Sequence, residues 1–347
     1  MNIILDAMGG DNAPGEIVRG AAEASKTGKY NLILTGDKEI IEKHLASNGA
    51  DLSKIEIVHT DSVISMEDDP LSVVGTKKDS SMSVGLKMLK ESGDAFVSAG
   101  NTGALHAGAS LIVRNIKGIQ RSAIATVIPF ARPMLLMDSG ANINVTPDYL
   151  AQWAVIGTLY MKNVMNVEAP SVGLLNNGTE ECKGTQLQID TYAKLSKTDG
   201  IKFAGNVEAK ELPFAPCDVI VTDGFTGNIT LKLIEGLSKF FFSSLKDMFT
   251  HSMMTKVAFL ALKDQLYKMK KSFDASEYGG TPILGLSKPV IKAHGSSDAR
   301  AVLNAIKQAG MFIQTGFIDQ IKTNISVIEH AKKGNNDKKE VTANEGE

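Results

Sequence analysis

The sequence predicts an α/β protein built on a mostly parallel, doubly wound sheet, with a helical hairpin protruding from it. Three observations predict this. Short apolar runs alternate with amphipathic segments along most of the chain. Those runs end in Gly/Asn/Asp/Ser turns, the punctuation of strand-to-helix connections. A Met- and Phe-rich stretch at about 230–273 carries two apolar stripes at helical spacing.

The elements follow in order. Asn2–Leu5 is a first strand, and Pro14 opens a helix whose apolar side is Ile17, Val18 and Ala21. Leu32–Thr35 is a second strand, followed by a helix through Ile40, Ile41 and Leu45. Ile55–His59 is a third strand, and Ala95–Ser98 enters a small-residue helix. Ala123–Ile128 and Met134–Met137 form a strand pair, the second ending in Asp138–Asn142. Ser171–Leu175 runs into Asn176–Glu181. Val219–Thr222 runs into Asp223–Asn228, with a helix starting near Ile229.

Composition excludes several classes. The 347 residues carry 37 Lys plus Arg against 39 Asp plus Glu, so no basic excess marks a nucleic-acid binder. The 43% hydrophobic content is ordinary for a globular chain and argues against general disorder. Cys182 and Cys217 form no CxxC or Cys/His metal pattern. The start of the chain meets Asp6 before any long apolar run, and no window is apolar enough to span a membrane, so a cytosolic protein is expected.

Five loops share one grammar of strand, Gly-rich polar turn and helix start: Asp6–Asp11, Ser98–Gly103, Asp138–Asn142, Asn176–Glu181 and Asp223–Asn228. In an open parallel sheet such turns gather at the carboxyl edge, where ligands bind. Glycine admits close backbone approach, and helix N-termini attract anions. An anion or polar small-molecule site is expected there. No GxxxxGK[ST], GxGxxG after a strand, HExxH or GxSxG is present.

The hairpin stripes are Ile234, Leu237, Phe241, Leu245 and Met248, then Phe259, Leu262, Leu266, Met269 and Phe273, with Thr250-His251-Ser252 as the turn. From Lys239 to Lys271 there are seven lysines and two aspartates. Three readings stay open: packing on the core, a dimer interface across a two-fold axis, and a basic surface touching anionic lipid at a tip of Met253, Met254, Val257 and Phe259.

Six co-linear motifs resemble the bacterial phosphate acyltransferase family, PlsX. They are Asp6-Ala7-Met8-Gly9-Gly10-Asp11, Lys77–Met82, Ser98–Ala104, Gly173–Asn176, Thr222–Asn228 and His294-Gly295-Ser296-Ser297-Asp298. The resemblance runs from residue 1 to about residue 320. It implies a fold similar to phosphotransacetylase and the isocitrate dehydrogenase group. It implies reversible transfer of a long acyl group from acyl carrier protein to inorganic phosphate, supplying phospholipid synthesis; no carboxylate cluster at metal-ligand spacing is apparent, so no metal and no cofactor are expected. It also implies a homodimer held peripherally at the inner face of the membrane, handing its product to a glycerol-3-phosphate acyltransferase. Ser139, Cys182 and the arginine-free Val73-Val74-Gly75-Thr76 depart from the family pattern. Residues 1–330 then form one catalytic unit including the hairpin, and 331–347 a disordered polar tail.

For that reaction, orientation and charge stabilisation are the main tasks. Asn101, Asn142, Asn177 and Asn228 are candidate donors to an oxyanion. Lys183 and Lys292 are candidates to neutralise phosphate, and His294 to protonate the departing thiolate. Asp6, Gly9, Gly10, Ser98, Gly100, Thr102, Gly103, Ser139, Asp223, Gly224 and Gly227 are expected to line the phosphate. Phe241, Leu245, Met253, Met254, Val257, Phe259, Leu262 and Leu266 are expected at a dimer or membrane contact. The rivals are a CoA-dependent short-chain phosphotransacylase, a non-catalytic membrane-associated scaffold, and a decarboxylating dehydrogenase of the related fold, whose nucleotide fingerprint and metal carboxylates are not evident.

Overall fold

Among the described residues eleven strands join in a single sheet, and the direction of each strand decides where its loops go. The structure is a computed structural model describing residues 1–272 and 279–333. The predicted tail beyond 333, and Phe273 of the second stripe, lie outside the described residues. The chain begins β1 (Asn2–Asp6), α1 (Gly15–Ser25), β2 (Asn31–Gly36), α2 (Lys38–Asn48), β3 (Ile55–His59), α3 (Ser81–Glu91), β4 (Ala95–Ser98) and α4 (Thr102–Gly108). It continues β5 (Ala123–Pro129), β6 (Pro133–Met137), α5 (Pro147–Asn163), β7 (Ser171–Asn176), α6 (Gln186–Leu195), β8 (Lys202–Glu208), β9 (Val219–Val221) and α7 (Gly224–Thr250). It closes with α8 (Met253–Ser272), β10 (Thr281–Leu284), β11 (Val290–Lys292), α9 (Ala299–Gln314), α10 (Phe317–Thr323) and α11 (Ile325–Lys333).

The strand order is β3-β2-β1-β4-β11-β10-β5-β6-β9-β7-β8. β3, β2, β1, β4 and β11 run parallel to one another, and so do β6, β9, β7 and β8. Between the two sets, β10 is antiparallel to both β11 and β5, and β5 to β6. Three reversals leave the second parallel set pointing opposite to the first. The five Gly-rich loops therefore do not share an edge. Those after β1 and β4 lie at one edge, and those after β6, β7 and β9 at the other. The sequence patterns located eight of these strands, not Lys202–Glu208, Thr281–Leu284 or Val290–Lys292, and carried no signal for this inversion.

Two further expectations need correction. The helix after β9 starts at Gly224, five residues before Ile229, because the Asp223 side chain accepts from the Thr226 N–H at 2.8 Å and caps it there. The Asn176–Glu181 turn does not open a helix directly; α6 begins at Gln186 behind the Thr185/Gln188 capping box.

Alternation along the strands gives each face its own core. One face carries Ile3, Leu5, Val97, Ala125, Leu135 and Val219 in a continuous cluster with residues of α1, α5 and α9. Complete burial of each large aliphatic side chain contributes about 1.5–3 kcal/mol. On the other face the core is split. Ile4, Phe96, Ile124 and Val290 pack with Leu86 of α3 and with Ala104 and Leu105 of α4. Ile128, Met134, Leu136 and Ile220 pack with Leu231 and Ile234 of α7. On β5 the two clusters meet at Thr126, which stands between Ile124 and Ile128 on the same face. A polar seam thus runs between the α3/α4 layer and α7.

α7 and α8 form the predicted hairpin. Phe249 meets Phe259 with ring centroids 5.7 Å apart, tying the two helices near their turn. Met253 and Met254 at the tip are 79% and 83% exposed. Among the described residues no helix is long and apolar enough to cross a membrane.

Candidate functional site at the polar seam

Asp6, Ser98 and Lys292 end the adjacent strands β1, β4 and β11. Asp6 pairs in register with Ser98, and Lys292 pairs with Ser98 from the other side. All three share parity with the core residues Ile4, Phe96 and Val290, so they stand on the seam face. All three are buried.

Asp6 accepts from Ser81 Oγ at 2.6 Å, Ser98 Oγ at 2.7 Å and the Met8 N–H at 3.3 Å. Burial pushes its carboxyl above the usual carboxylate range, and these hydrogen bonds oppose the shift. Ser98 Oγ also accepts from the Gly100 N–H at 3.0 Å. Lys292 Nζ donates to the carbonyls of Ala99 at 3.1 Å and of Ala293. An ammonium has three donors, so among the described residues one N–H remains for a ligand. Burial brings Lys292 down to about 8; the charges of Asp6 and Asp11 oppose that fall, and Lys232 of α7 adds to it.

Three loops converge around this trio. The Asp11 N–H donates to Gly295 O at 2.8 Å, and Asn12 Nδ2 donates to Ser296 O at 3.1 Å. Gly9 faces Gly100 so closely that a Cβ on Gly9 would lie 2.4 Å from Asp6 Oδ2 and 2.9 Å from Gly100 Cα. The glycine here permits backbone to approach backbone. His294 stands exposed at the mouth of the seam, with its Nδ1 2.9 Å from Ser296 Oγ. Partial loss of solvent holds its imidazole below its ordinary value. Lys232, Lys292 and Lys239 push the same way, and Glu235 opposes them. α7 therefore reaches back from the far edge to bring Lys232 and Glu235 beside His294 and Lys292.

Asn101 has its side chain committed within this end of the protein. Its Oδ1 caps the Ala104 N–H at 3.0 Å, and its Nδ2 donates to the carbonyls of Ser65, Met66 and Asp68 at 3.2, 3.0 and 3.2 Å. It fastens the 62–70 strap across the start of α4. The strap also takes Lys77, which bonds Val63 O at 2.9 Å and Asp68 at 2.5 Å. Lys78 is left exposed. Thr102 and Gly103 are exposed at the start of α4, and Gly10 adopts φ +112.

The second polar group lies at the opposite edge. Asp138 accepts from the N–H groups of Ile124, Gly140, Ala141 and Asn142 and from Asn142 Nδ2. Asn142 Nδ2 also reaches Ser122 O at 2.9 Å, so that amide is engaged inside the turn. Ser139 Oγ lies 2.7 Å from Thr126 Oγ1 on the seam itself. Gly224 and Gly227 let the first turn of α7 seat on this turn. A Cβ on Gly227 would sit 1.9 Å from the Asp138 carbonyl oxygen, and one on Gly224 2.8 Å from Asn142 backbone atoms. Asn228 is exposed on that same turn, beside Gly140.

Asn177 and Lys183 are exposed on the loop after β7, which is held to its own neighbours: Asn176 Nδ2 donates to Lys183 O at 3.1 Å. No described contact brings them to the Asp6–Ser98–Lys292 trio. Sequence reasoning did not single out Asp138, Thr126, Lys232 or Glu235. Asp138 stood in a recognised loop, but the other three carry no local signal. Among the described residues no group of three or more His, Cys, Asp and Glu side chains gathers as a metal site. Cys217 is buried, which pushes its thiol up to about 12, and Cys182 is exposed.

Comparison with known proteins decides the family. A model described as "Fatty acid synthesis protein" matches residues 1–320. The phosphate acyltransferase of Clostridioides difficile (strain 630) is 45% identical over 340 residues, 97% of this chain and 100% of that one. The chain belongs to the phosphate acyltransferase (PlsX) family. The family's protein from Fusobacterium nucleatum subsp. nucleatum is 44% identical over 331 residues, 94% of this chain and all of that one. Membership makes the chain an acyltransferase. A solved phosphotransacetylase from Streptococcus pyogenes matches with a TM-score of 0.61 at 18% identity, over 90% of this chain and 94% of that one. A branched-chain phosphotransacylase from Enterococcus faecalis V583 matches with a TM-score of 0.54 at 15% identity, over 90% of this chain and 99% of that one. These likenesses establish the phosphotransacetylase-like fold.

Proposed function

We propose that the chain transfers a long acyl group from acyl carrier protein to inorganic phosphate, releasing an acyl phosphate for phospholipid synthesis. The observation that carries the site assignment is Lys292. It is a buried ammonium at the end of β11, on the seam face, with two N–H groups held by carbonyls and one to spare. A buried cation of this kind is costly unless it meets an anion. Phosphate supplies one beside Asp6 and Asp11, and Lys232 of α7, paired with Glu235 at 2.8 Å, stands near enough to act on Lys292.

The relatives' name, phosphate acyltransferase, supports phosphate as acceptor. Phosphate is a competent nucleophile at neutral pH, so the protein's work is to hold it beside the thioester carbonyl and stabilise the oxyanion. Ser98, Gly100 and His294 complete that end of the seam. Ser139, Asn228 and Lys183 remain candidates from the opposite edge. The hairpin is the proposed contact with a second copy along Phe241, Leu245, Leu262 and Leu266, and with an anionic membrane at Met253, Met254, Val257 and Phe259. Its lysines and Lys78 are suited to an acidic carrier protein.

The test is turnover of palmitoyl carrier protein with and without inorganic phosphate, trapping acyl phosphate as hydroxamate. Phosphate-dependent hydroxamate is expected. Consumption of short acyl-CoA alone would replace this reading with a short-chain phosphotransacylase. Consumption of neither thioester would favour a non-catalytic scaffold.

A further inference from the structure

We infer that His294 serves the acyl transfer as an Nε2–H hydrogen-bond donor to the thioester oxygen, with Ser296 fixing its tautomer, and not as the acid that protonates the departing sulfur. The inference rests on the acyl-transfer reading and deepens it at the same site.

The geometry around Nδ1 carries it. The Ser296 backbone N–H donates to His294 Nδ1 at 3.3 Å, and Ser296 Oγ lies 2.9 Å from the same atom. A backbone N–H only donates, so Nδ1 must offer a lone pair. The neutral ring then carries its proton on Nε2. Ser296 is itself held. Asn12 Nδ2 bonds the Ser296 and Ser297 carbonyls at 3.1 and 3.3 Å, and the Asp298 side chain caps α9 at the Ala301 N–H at 2.8 Å. The turn that orients the imidazole is therefore fixed at both ends.

The charged groups acting on the ring are Lys292 at the end of β11 and Lys232, Glu235 and Lys239 from α7. Partial desolvation and the three lysines keep the ring neutral near pH 7, while Glu235 works against them. A neutral imidazole is a poor acid but a good fixed donor.

The chemistry agrees. A phosphate oxygen forms a bond to the carbonyl carbon, and the π pair moves to the carbonyl oxygen, which accepts from Nε2–H. When the C=O bond reforms, the C–S bond breaks and sulfur leaves with its electron pair as thiolate. Hydrogen phosphate dianion and neutral thioester give acyl phosphate monoanion and thiolate, so charge balances. A thiolate is a good enough leaving group to depart without prior protonation, and it takes its proton from water.

Two measurements test this. Long-range ¹H–¹⁵N NMR of histidine-labelled protein, assigned with His294→Gln, should show a pyrrole-type Nε2 and a pyridine-type Nδ1. A protonated Nδ1 in the neutral ring overturns the inference. In hydroxamate assays, His294→Ala should lose about 10²–10³ in kcat. His294→Gln, whose amide N–H replaces Nε2–H, should stay within about tenfold of wild type. Both should keep the wild-type alkaline limb, and Ser296→Ala, which keeps the backbone N–H on Nδ1, should leave Nδ1 pyridine-type. If wild type is active while His294→Gln is as slow as His294→Ala and has lost that limb, His294 is a general acid and the inference fails alone. If wild type itself gives no phosphate-dependent hydroxamate, the acyl-transfer reading fails and takes this role with it.

Discussion

Asp6 and Lys292 end two strands that flank β4, and both side chains stand buried on the same sheet face with Ser98 between them. Their opposite charges act on each other through the buried end of the seam, and this pairing sets the expected pH behaviour.

Lys292 sits at about 8 in the fold, so its positive charge is present below that pH and lost as pH rises through it. The phosphate-dependent rate should show an alkaline limb near pH 8. Asp6 raises the Lys292 value and Lys232 lowers it. Asp6→Asn should therefore move the limb to lower pH, and Lys232→Gln should move it to higher pH. A kcat/KM profile for phosphate reads both shifts. Displacements in the reversed directions would detach the limb from Lys292.

Gly227 admits no side chain where α7 meets Asp138, and Gly9 none where it meets Gly100. Overpacking costs about 1–3 kcal/mol in side-chain contacts, and backbone cannot yield as side chains do. Gly227→Ala should lose at least about 3 kcal/mol in urea unfolding. Gly236→Ala in the same helix, where a Cβ meets open space, should be neutral or stabilising.

Asn101 holds three strap carbonyls as well as the α4 cap. Asn101→Ala should cost about 2–3 kcal/mol and open residues 61–79 to limited proteolysis. A variant equally protease-resistant but catalytically dead would instead assign the amide to the substrate.

Met254 is 83% exposed, so Met254→Asp should leave the unfolding midpoint unchanged. The same variant should weaken co-flotation with vesicles containing anionic lipid. Leu245→Glu should lower the mass seen by sedimentation if the hairpin stem joins two copies.

The strands of the fold were legible wherever they were apolar and long enough to show a pattern. Ala95–Ser98 has the bounds the sequence indicates. Lys202–Glu208 was not legible, because Gly205 and charged ends interrupt its apolar pattern. Thr281–Leu284 and Val290–Lys292 are four and three residues long, too short for periodicity to register. Those two are the strands that matter most. β10 takes part in the reversal that sends the five loops to two edges, and β11 carries Lys292. Likewise Gly9, Gly100, Gly224 and Gly227 were recognisable as positions of close approach, but only the fold reveals that the approaching group is backbone. Lys232 and Glu235 gained meaning only once α7 was seen to run back along the seam.

The most direct measurement is the KM for inorganic phosphate in wild type and Lys292→Met, with acyl carrier protein saturating and hydroxylamine trapping the product. Lys292→Met should raise that KM by about 100-fold, the loss of one charge-assisted contact in a buried site, while leaving the KM for the acyl carrier near wild type. An unchanged phosphate KM would place the phosphate elsewhere and contradict the site at the end of β11.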